Sequence, residues 1–375
     1  MTGDNNKSDI KRKSIALISV FQRYTGTSAA VLDYRDALIG LGYNVTVYQL
    51  VVPNRPYKYL DADVLINGRR FFIRQLELPL NILFILSRNL PNFSDDIVFL
   101  TDPIMLNLKR SIKKSIVIFH DMREFSNLNR NPLRRLFYMF QIKYLKDNDA
   151  VIAISHLTES IIKRVVKKKL NIQVLERCSR FDIKYEIINS RITAFLNGKK
   201  EVNVLYIAAD RYYKNIKLFI IVAKRIEMMN LNLNLHFIIV SKLRNSTKRF
   251  IREKRLTNLQ IYETVDNLYE LYNKTDIFLF PSLIEGFGLP LVEAMSFGIP
   301  IIYSNKQPMT KIVAGNGIPV DPFDPDSWVK ELMALLNREK YKEMAILSYE
   351  GSKRYTFDNF KESLSVALKN FNLGD

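Results

Sequence analysis

Short apolar runs alternate with helical stretches along most of this chain, and that alternation constrains the fold more than any other feature. The runs in the first half are rich in valine and isoleucine and are apolar on successive positions. This pattern is typical of strands buried on both faces, as in a parallel sheet covered by helices. The candidate strands are SIALISV (14–20), NVTVYQL (44–50), ADVLIN (62–67), DIVFL (96–100), SIVIFH (115–120), AVIAIS (150–155) and IQVLE (172–176).

The same alternation starts again after a polar stretch, 178–202, which the sequence predicts to be irregular. The tail from 324 onward is predicted to be helical. Two successive doubly wound α/β domains are therefore expected, with a ligand cleft at the carboxyl ends of their strands. The second series is VNVLYIA (202–208), NLHFIIV (234–240), LQIYET (259–264), DIFLFPS (276–282), IPIIYS (299–304) and GIPVD (317–321).

The helices between the strands carry recognisable end signals. Residues 27–42 open with threonine and serine, which are capping candidates, and end in glycine, as a crossover helix does. Residues 131–148 open with asparagine and then proline, a cap followed by a first-turn proline.

Chain length, cysteine count and hydropathy narrow the class of protein further. A chain of 375 residues corresponds to about two to three domains. The single cysteine, Cys178, excludes a disulfide within the chain and fits a reducing compartment. The sequence has no convincing secretory signal and no apolar stretch approaching the ~20 residues of a membrane helix. We therefore expect a cytoplasmic protein, with the inner face of the membrane as the alternative location.

Positive charge is concentrated in the first half of the chain. The net charge is +18, and residues 1–200 hold 33 basic against 18 acidic residues, a net +15. A basic half indicates an anionic partner such as a phospholipid surface, a lipid-linked phosphate, an acidic glycan or nucleic acid. A basic surface without a specific partner is the alternative, because charge alone says little about function.

The stretch FLFPSLIEGFGLPLVEAMSFGIPII (278–302) contains three of the chain's 13 glycines and two glutamates, Glu285 and Glu293. It reads as a strand, a glycine-bearing turn and a helix start at Gly288–Leu289–Pro290. Amides at such a helix start attract phosphate, and glycines let the backbone approach it. Carboxylates on either side can accept hydrogen bonds from sugar hydroxyls. The stretch therefore suits a site for a nucleotide diphosphate that carries a sugar. The alternative is ordinary loop and helix-start chemistry, because glutamates and glycine turns also occur where nothing binds.

This stretch, from Pro281 to Ser304, resembles the group 1 glycosyltransferases, a large retaining family of the GT-B fold whose signature is two glutamates separated by seven residues. Other segments resemble the same family: VIFHDM (117–122), DAVIAISHLTES (149–160), LYIAADRYYKNIKLFI (205–220), GIPVDPFDPDSW (317–328) and the closing RYTFDNFKESLSVALKNF (354–371). The resemblance implies an acceptor-binding domain at 1–190, completed by a C-terminal helix at 356–375, and a nucleotide-sugar-binding domain at 191–355.

The resemblance also implies roles for residues. Glu293 would bind the ribose hydroxyls, Glu285 would lie beside the donor sugar, and Lys214 would neutralise the leaving diphosphate. His120 would face the donor sugar from the first domain, and His120, Lys214 and Glu285 are the expected catalytic residues. Backbone amides lining the diphosphate and the sugar would come from Gly286, Phe287, Gly288 and Leu289.

Two positions depart from the family pattern. The family's lysine is usually accompanied by an arginine, and here Arg211 is available only at a shorter spacing. The family often has two adjacent glycines after the first strand, whereas this chain has only Gly26 there. The hydroxyls of the flanking Thr25 and Thr27 are candidates for an acceptor or phosphate contact. No Asp-x-Asp metal signature is present, so we expect neither a metal nor any other cofactor, since a lysine and a helix start can stabilise the departing diphosphate.

The acceptor belongs to the basic first domain if the resemblance holds. Residues 130–146 and 161–170 mix cations with apolar side chains, as helices on anionic membranes do, although ordinary crossover helices also fit. We therefore expect a glycosyltransferase that moves a sugar from a nucleotide-diphosphate sugar, UDP favoured over GDP, to a sugar, lipid-linked or protein-glycan acceptor. A sugar-nucleotide epimerase and an anionic-membrane or nucleic-acid binder are the alternatives, but no nucleic-acid-binding signature is present.

Overall fold

The computed structural model describes residues 13–20, 26–51, 62–67, 81–82, 93, 97–122, 125–126 and 132–373, without the side chains of 26–28. Within these residues the chain forms two parallel sheets, one in each half. This confirms the predicted α/β class.

Seven strands form the first sheet, namely β1 (Ser14–Ser19), β2 (Asn44–Val51), β3 (Val64–Asn67), β4 (Ile97–Leu100), β5 (Lys114–Phe119), β6 (Ala150–Ala153) and β7 (Asn171–Val174). Their order in the sheet is β3-β2-β1-β4-β5-β6-β7, and neighbouring strands are parallel. Leu17 pairs with Val47 on one side and Phe99 on the other, and all three are fully buried. Burial on both faces explains why the strands are continuous apolar runs.

The described helices of the first domain are α1 (Gly26–Gly40), α2 (Pro132–Gln141) and α3 (His156–Val165), with a 3-10 segment at Pro103–Ser111. Asp102 caps that segment by accepting from the Ile104 amide at 2.8 Å. The same carboxylate accepts from the Tyr138 hydroxyl at 3.0 Å, which attaches α2 to the end of β4.

Six strands form the second sheet, namely β8 (Glu201–Ile207), β9 (Asn234–Val240), β10 (Leu259–Tyr262), β11 (Ile277–Phe280), β12 (Ile301–Ser304) and β13 (Ile318–Val320). Their order is β10-β9-β8-β11-β12-β13, and all neighbouring strands are again parallel. Both predicted series of strands are therefore present, with bounds that differ from the expected ones by a few residues.

The helices of the second half are α4 (Tyr185–Leu196), α5 (Ile216–Glu227), α6 (Asn245–Lys254), α7 (Leu268–Lys274), α8 (Leu289–Ser296), α9 (Met309–Val313), α10 (Pro325–Ala334), α11 (Arg338–Ser352) and α12 (Phe357–Asn370). Helix α4 corrects the expectation that 178–202 is irregular. Its buried side chains are Ile188, Ile192 and Phe195. Phe195 stacks on Tyr341 of α11 at 3.6 Å between ring centroids, so tertiary packing stabilises this helix.

The C-terminal helix α12 returns to the first domain, as predicted. Phe360 packs edge-on against Tyr34 of α1, with 5.2 Å between the ring centroids. The Asn171 amide donates to the carbonyl of Asn370 at 3.0 Å, and the Asn370 amide donates to Gln173 at 3.0 Å. The domain boundaries at 190 and 355 stay predictions.

Among the helices in the described part of the chain, none combines the length and the apolar character that crossing a bilayer requires.

Candidate active site between the two sheets

The glycine-bearing turn after β11 has the conformation that the sequence predicts. Gly288 caps helix α8 with φ +117°, a left-handed conformation that favours glycine, and Pro290 follows in the first turn. A Cβ added to Gly286 would lie closer than 3.0 Å to the carbonyl oxygen of His120, a separation that real side chains do not show. Gly286 is therefore required because the backbone of the first domain touches the turn at this point.

A second contact joins the same turn to the first domain. Ser155 lies just after β6 and caps α3, and its hydroxyl donates to the carbonyl of Gly286 at 2.6 Å. His120 directly follows β5. The carboxyl edge of the first sheet therefore meets the turn after β11. These contacts lie where a ligand cleft between two such domains is expected.

Lys214 and Glu285 come together as a pair. The Lys214 ammonium lies 2.6 Å from each oxygen of the Glu285 carboxylate, and the lysine and glutamate side chains are 17% and 9% exposed. The two residues follow β8 and β11, which are adjacent strands. An ammonium has three N–H donors, so Lys214 can keep Glu285 and still donate to a phosphate oxygen.

The structure around Lys214 explains why an asparagine, Asn215, follows it. Asn215 adopts a left-handed conformation with φ +53°, which asparagine tolerates better than most residues, and it starts α5. Its side-chain amide donates to the carbonyl of Pro322 at 2.9 Å. The amide of Leu283 donates to the carbonyl of Tyr213 at 2.7 Å, so the two loops that carry Lys214 and Glu285 are joined directly.

Glu293 lies in the first two turns of α8, as predicted, but two side chains that the sequence did not indicate bind it. Arg180 donates to Oε1 through Nε at 2.9 Å and through Nη2 at 2.6 Å. The Tyr272 hydroxyl donates to Oε2 at 2.8 Å. The Glu293 carboxylate is therefore held from both sides and is only 3% exposed.

His120 is buried at the end of β5 with its backbone against Gly286. Burial and, to a lesser degree, the nearby Arg177 guanidinium lower the pKa of His120 to about 3, although a hydrogen bond to the Thr101 backbone opposes the shift. The imidazole is therefore neutral at physiological pH, and it can serve the site as a neutral hydrogen-bonding group and not as a cation.

The remaining predicted donor residues differ in their surroundings. Phe287 is buried, and its ring packs edge-on against Tyr355 at 5.8 Å, which anchors the turn. Leu289 is buried at the first position of α8. Arg211 is exposed at the start of the turn that carries Lys214.

An ion pair that the sequence did not suggest lies beyond the ends of β8 and β9. The guanidinium of Arg244 lies 3.2 Å from the buried carboxylate of Asp210, which also accepts from the Arg244 amide at 2.8 Å. This pair fixes the loop after β9 next to the loop that carries Lys214.

The predicted acceptor loop lies only partly within the described residues. Thr25 lies outside the described residues, and Gly26 and Thr27 are described only as the start of α1. Their role stays a prediction.

Comparison with solved structures shows the fold. Sucrose-phosphate synthase from Thermosynechococcus elongatus superposes with a TM-score of 0.77 over 97% of this chain and 100% of that chain, at 16% identity. Anabaena Alr3699/HepE, solved in complex with UDP-glucose, superposes with a TM-score of 0.67 over 95% and 99%, at 13% identity. The two-sheet architecture is that of the GT-B glycosyltransferases.

Sequence comparison then gives a family match for the second half of the chain. Residues 188–354 match the model of the family described as glycosyl transferases group 1. O-antigen chain mannosyltransferase RfbU of Salmonella typhimurium is 24% identical over 67% of this chain and 68% of its own length. O-antigen chain mannosyltransferase B of Escherichia coli is 32% identical over 26% of each chain, so that alignment spans only about a quarter of that relative. Residues 188–354 of this protein therefore match the group 1 glycosyltransferases, a family of sugar-transferring enzymes, and both relatives are named as mannosyltransferases.

Proposed function

We propose that this protein transfers a sugar from a nucleotide-diphosphate sugar to a glycan acceptor, with retention of the anomeric configuration and without a metal. The observation that carries the proposal is the Lys214–Glu285 pair next to the glycine turn and the start of α8, against the His120 end of the first sheet. Glycosyl transfer develops positive charge at the anomeric carbon and negative charge on the departing diphosphate. A fixed ammonium and backbone amides are suited to the second charge.

The residues have distinct roles in this proposal. Lys214 donates to the leaving diphosphate, helped by the amides of Gly286 to Leu289. Glu285, held in place by Lys214, accepts from hydroxyls of the donor sugar. Glu293 accepts from the ribose hydroxyls. Retention follows the mechanism commonly described for the family, in which the leaving phosphate takes the proton of the acceptor.

The donor sugar and acceptor are proposed from the relatives. Two similar proteins are named O-antigen chain mannosyltransferases, which supports a mannosyl donor and a growing polysaccharide or lipid-linked acceptor. A similar structure contains UDP-glucose, which supports a UDP-sugar. The transferase relatives do not favour the epimerase alternative, and the nucleic-acid alternative gains no support from them.

The test is nucleotide release from UDP-glucose, UDP-galactose and GDP-mannose, in EDTA, with and without a lipid-linked oligosaccharide fraction. A transferase releases nucleoside diphosphate faster when acceptor is added, and the product retains the donor's anomeric configuration by NMR. An epimerase would convert the donor without any acceptor. Failure of every donor with every acceptor would count against the proposed reaction.

We further propose that the first domain docks on an anionic membrane through α2. The side chains of Leu133 and Leu136 are 57% and 65% exposed, and Met139 and Phe140 are also exposed. Leu133, Leu136 and Phe140 recur at helical spacing and share one side of the helix. An apolar side of this kind buries into the boundary between headgroups and acyl chains.

Basic residues lie near one end of this apolar side. Between Phe125 and Lys146 the sequence has no acidic residue. The Lys168 ammonium donates to the carbonyl of Lys143 at 3.1 Å, which brings the basic stretch at 163–169 next to the end of α2. Such clusters attract anionic lipid headgroups, and the attraction is screened by salt.

Sedimentation with vesicles tests the docking surface. The wild type is expected to bind vesicles with 30% phosphatidylglycerol in roughly physiological salt and to lose binding to pure phosphatidylcholine. Leu136→Ser is expected to weaken binding, whereas Phe323→Ser, which removes an equally exposed apolar side chain from the second domain, is not. Equal binding by both variants would contradict this placement.

A further inference from the structure

Arg180 covers the carboxylate that the proposed function assigns to the ribose. It lies in the segment between β7 and α4, 113 residues before Glu293 in sequence. Two of its N–H groups bind Oε1 of Glu293, and Tyr272 binds Oε2 from the other side. The carboxylate therefore accepts three hydrogen bonds within the protein.

Exposure shows which of the two partners is on the outside. Tyr272 is fully buried beneath Glu293, whereas the side chain of Arg180 is 24% exposed. Glu293 itself is only 3% exposed, so a ribose diol cannot contact both its oxygens while Arg180 stays in place. Access to Glu293 requires movement of Arg180, since the tyrosine has no room to leave.

The backbone on both sides of Arg180 is anchored. The ring of the next residue, Phe181, packs edge-on against Phe297 at 5.1 Å and Tyr272 at 5.8 Å. The amide of the preceding residue, Ser179, donates to the carbonyl of Tyr355 at 2.8 Å. Movement is therefore expected in the Arg180 side chain and not in the segment as a whole.

We propose that Arg180 is a removable cover of the donor site: its guanidinium occupies the ribose position on Glu293, and the incoming nucleotide displaces it. This inference rests on the proposed role of Glu293 in donor binding. A protein whose competent state is a minor fraction binds its ligand more weakly by that fraction. Arg180 therefore lowers the affinity for the donor nucleotide.

A calorimetric titration of UDP and GDP into the wild type, Arg180→Ala and Arg180→Gln tests this. We expect both variants to bind the nucleotide about tenfold more tightly, equivalent to about 1.4 kcal/mol. Arg225→Ala is the matched control, since Arg225 pairs with Asp326 at 2.5 Å between α5 and α10 and does not contact Glu293. The control is expected to bind like the wild type.

Thermal unfolding separates a cover from a purely structural ion pair. A structural role predicts a lower melting temperature for Arg180→Ala together with unchanged or weaker nucleotide binding, and that result would overturn the proposal. Tighter binding, whatever the melting temperature, supports it. Absence of nucleotide binding in the wild type and in both folded variants would overturn the proposed function itself.

Discussion

Gly286→Ala is the substitution for which the structure gives the sharpest expectation. The added Cβ would overlap the carbonyl oxygen of His120 and lie 3.3 Å from its carbonyl carbon and 3.4 Å from Cβ of Asp121. Two of these three atoms belong to the backbone at the end of a buried central strand, so no flexible side chain can give way. The turn after β11 must move away from the first domain.

The size of the effect follows from the displacement. Relieving the overlap takes a shift on the order of 1 Å, and a misplacement of that size at a reacting group costs about 100-fold in rate. That loss corresponds to about 2.7 kcal/mol of transition-state stabilisation. Each sheet keeps its own packing if the domains separate, so we expect the melting temperature to fall by only a few degrees.

Nucleotide release from the preferred donor and small-angle scattering are the assays. We expect kcat/KM to fall about 100-fold and the radius of gyration to increase. Gly40→Ala is the matched control, because its Cβ would meet only the flexible Cδ of Lys361 at 3.3 Å. Wild-type turnover by Gly286→Ala, or an equal loss in Gly40→Ala, would refute the reasoning.

Three further substitutions test other contacts of the site. The unfolded chain protonates His120 below its ordinary pKa of about 6.5. In the folded protein, burial lowers the pKa of His120 to about 3. The contribution of neutral His120 to stability is therefore fully present above about pH 6.5, the pKa of the unfolded chain, and the free energy of unfolding falls by about 2 kcal/mol between pH 7 and pH 5. His120→Gln should flatten that part of the pH dependence in urea unfolding. Tyr272→Phe removes the buried donor to Glu293 and should cost about 1–3 kcal/mol in urea unfolding, so unchanged stability would argue against the contact. Ser155→Ala removes both the α3 cap and the bond to Gly286 and should cost about 1 kcal/mol, which Ser155→Thr should largely restore.

The strands could be predicted from the sequence because both sheets are parallel and buried on both faces. Strand β9 coincides with the run 234–240 that the apolar pattern indicates, and the other strands differ only at their ends. Helix ends and loop polarity decide those last residues, and a single sequence constrains them weakly.

Helix α4 was missed although the sequence contains its signal. Ile188, Ile192 and Phe195 recur at helical spacing, but the polar residues between them suggested an irregular segment. The helix is stabilised by α11, which lies about 150 residues later in the chain, and a local pattern does not report that packing.

The residues of the candidate site fall into two groups, one predicted from the sequence and one not. Lys214, Glu285 and Glu293 follow or lie next to strand ends, so strand topology alone places them at one edge of the second sheet. Arg180 and Tyr272, which hold Glu293, come from an interdomain segment and a helix that carry no motif. Only the folded chain brings these side chains together, so no local pattern could have indicated them.

The most direct test of this account is a calorimetric titration of UDP and GDP, in excess EDTA, into the wild type and Glu293→Ala. The account predicts that one nucleotide binds the wild type without metal. It also predicts that binding weakens by about 10- to 100-fold in the variant, because charged hydrogen bonds to the ribose are lost. Equal affinity in the two proteins, or no binding of either nucleotide by the folded wild type, would contradict the placement of the donor on this site.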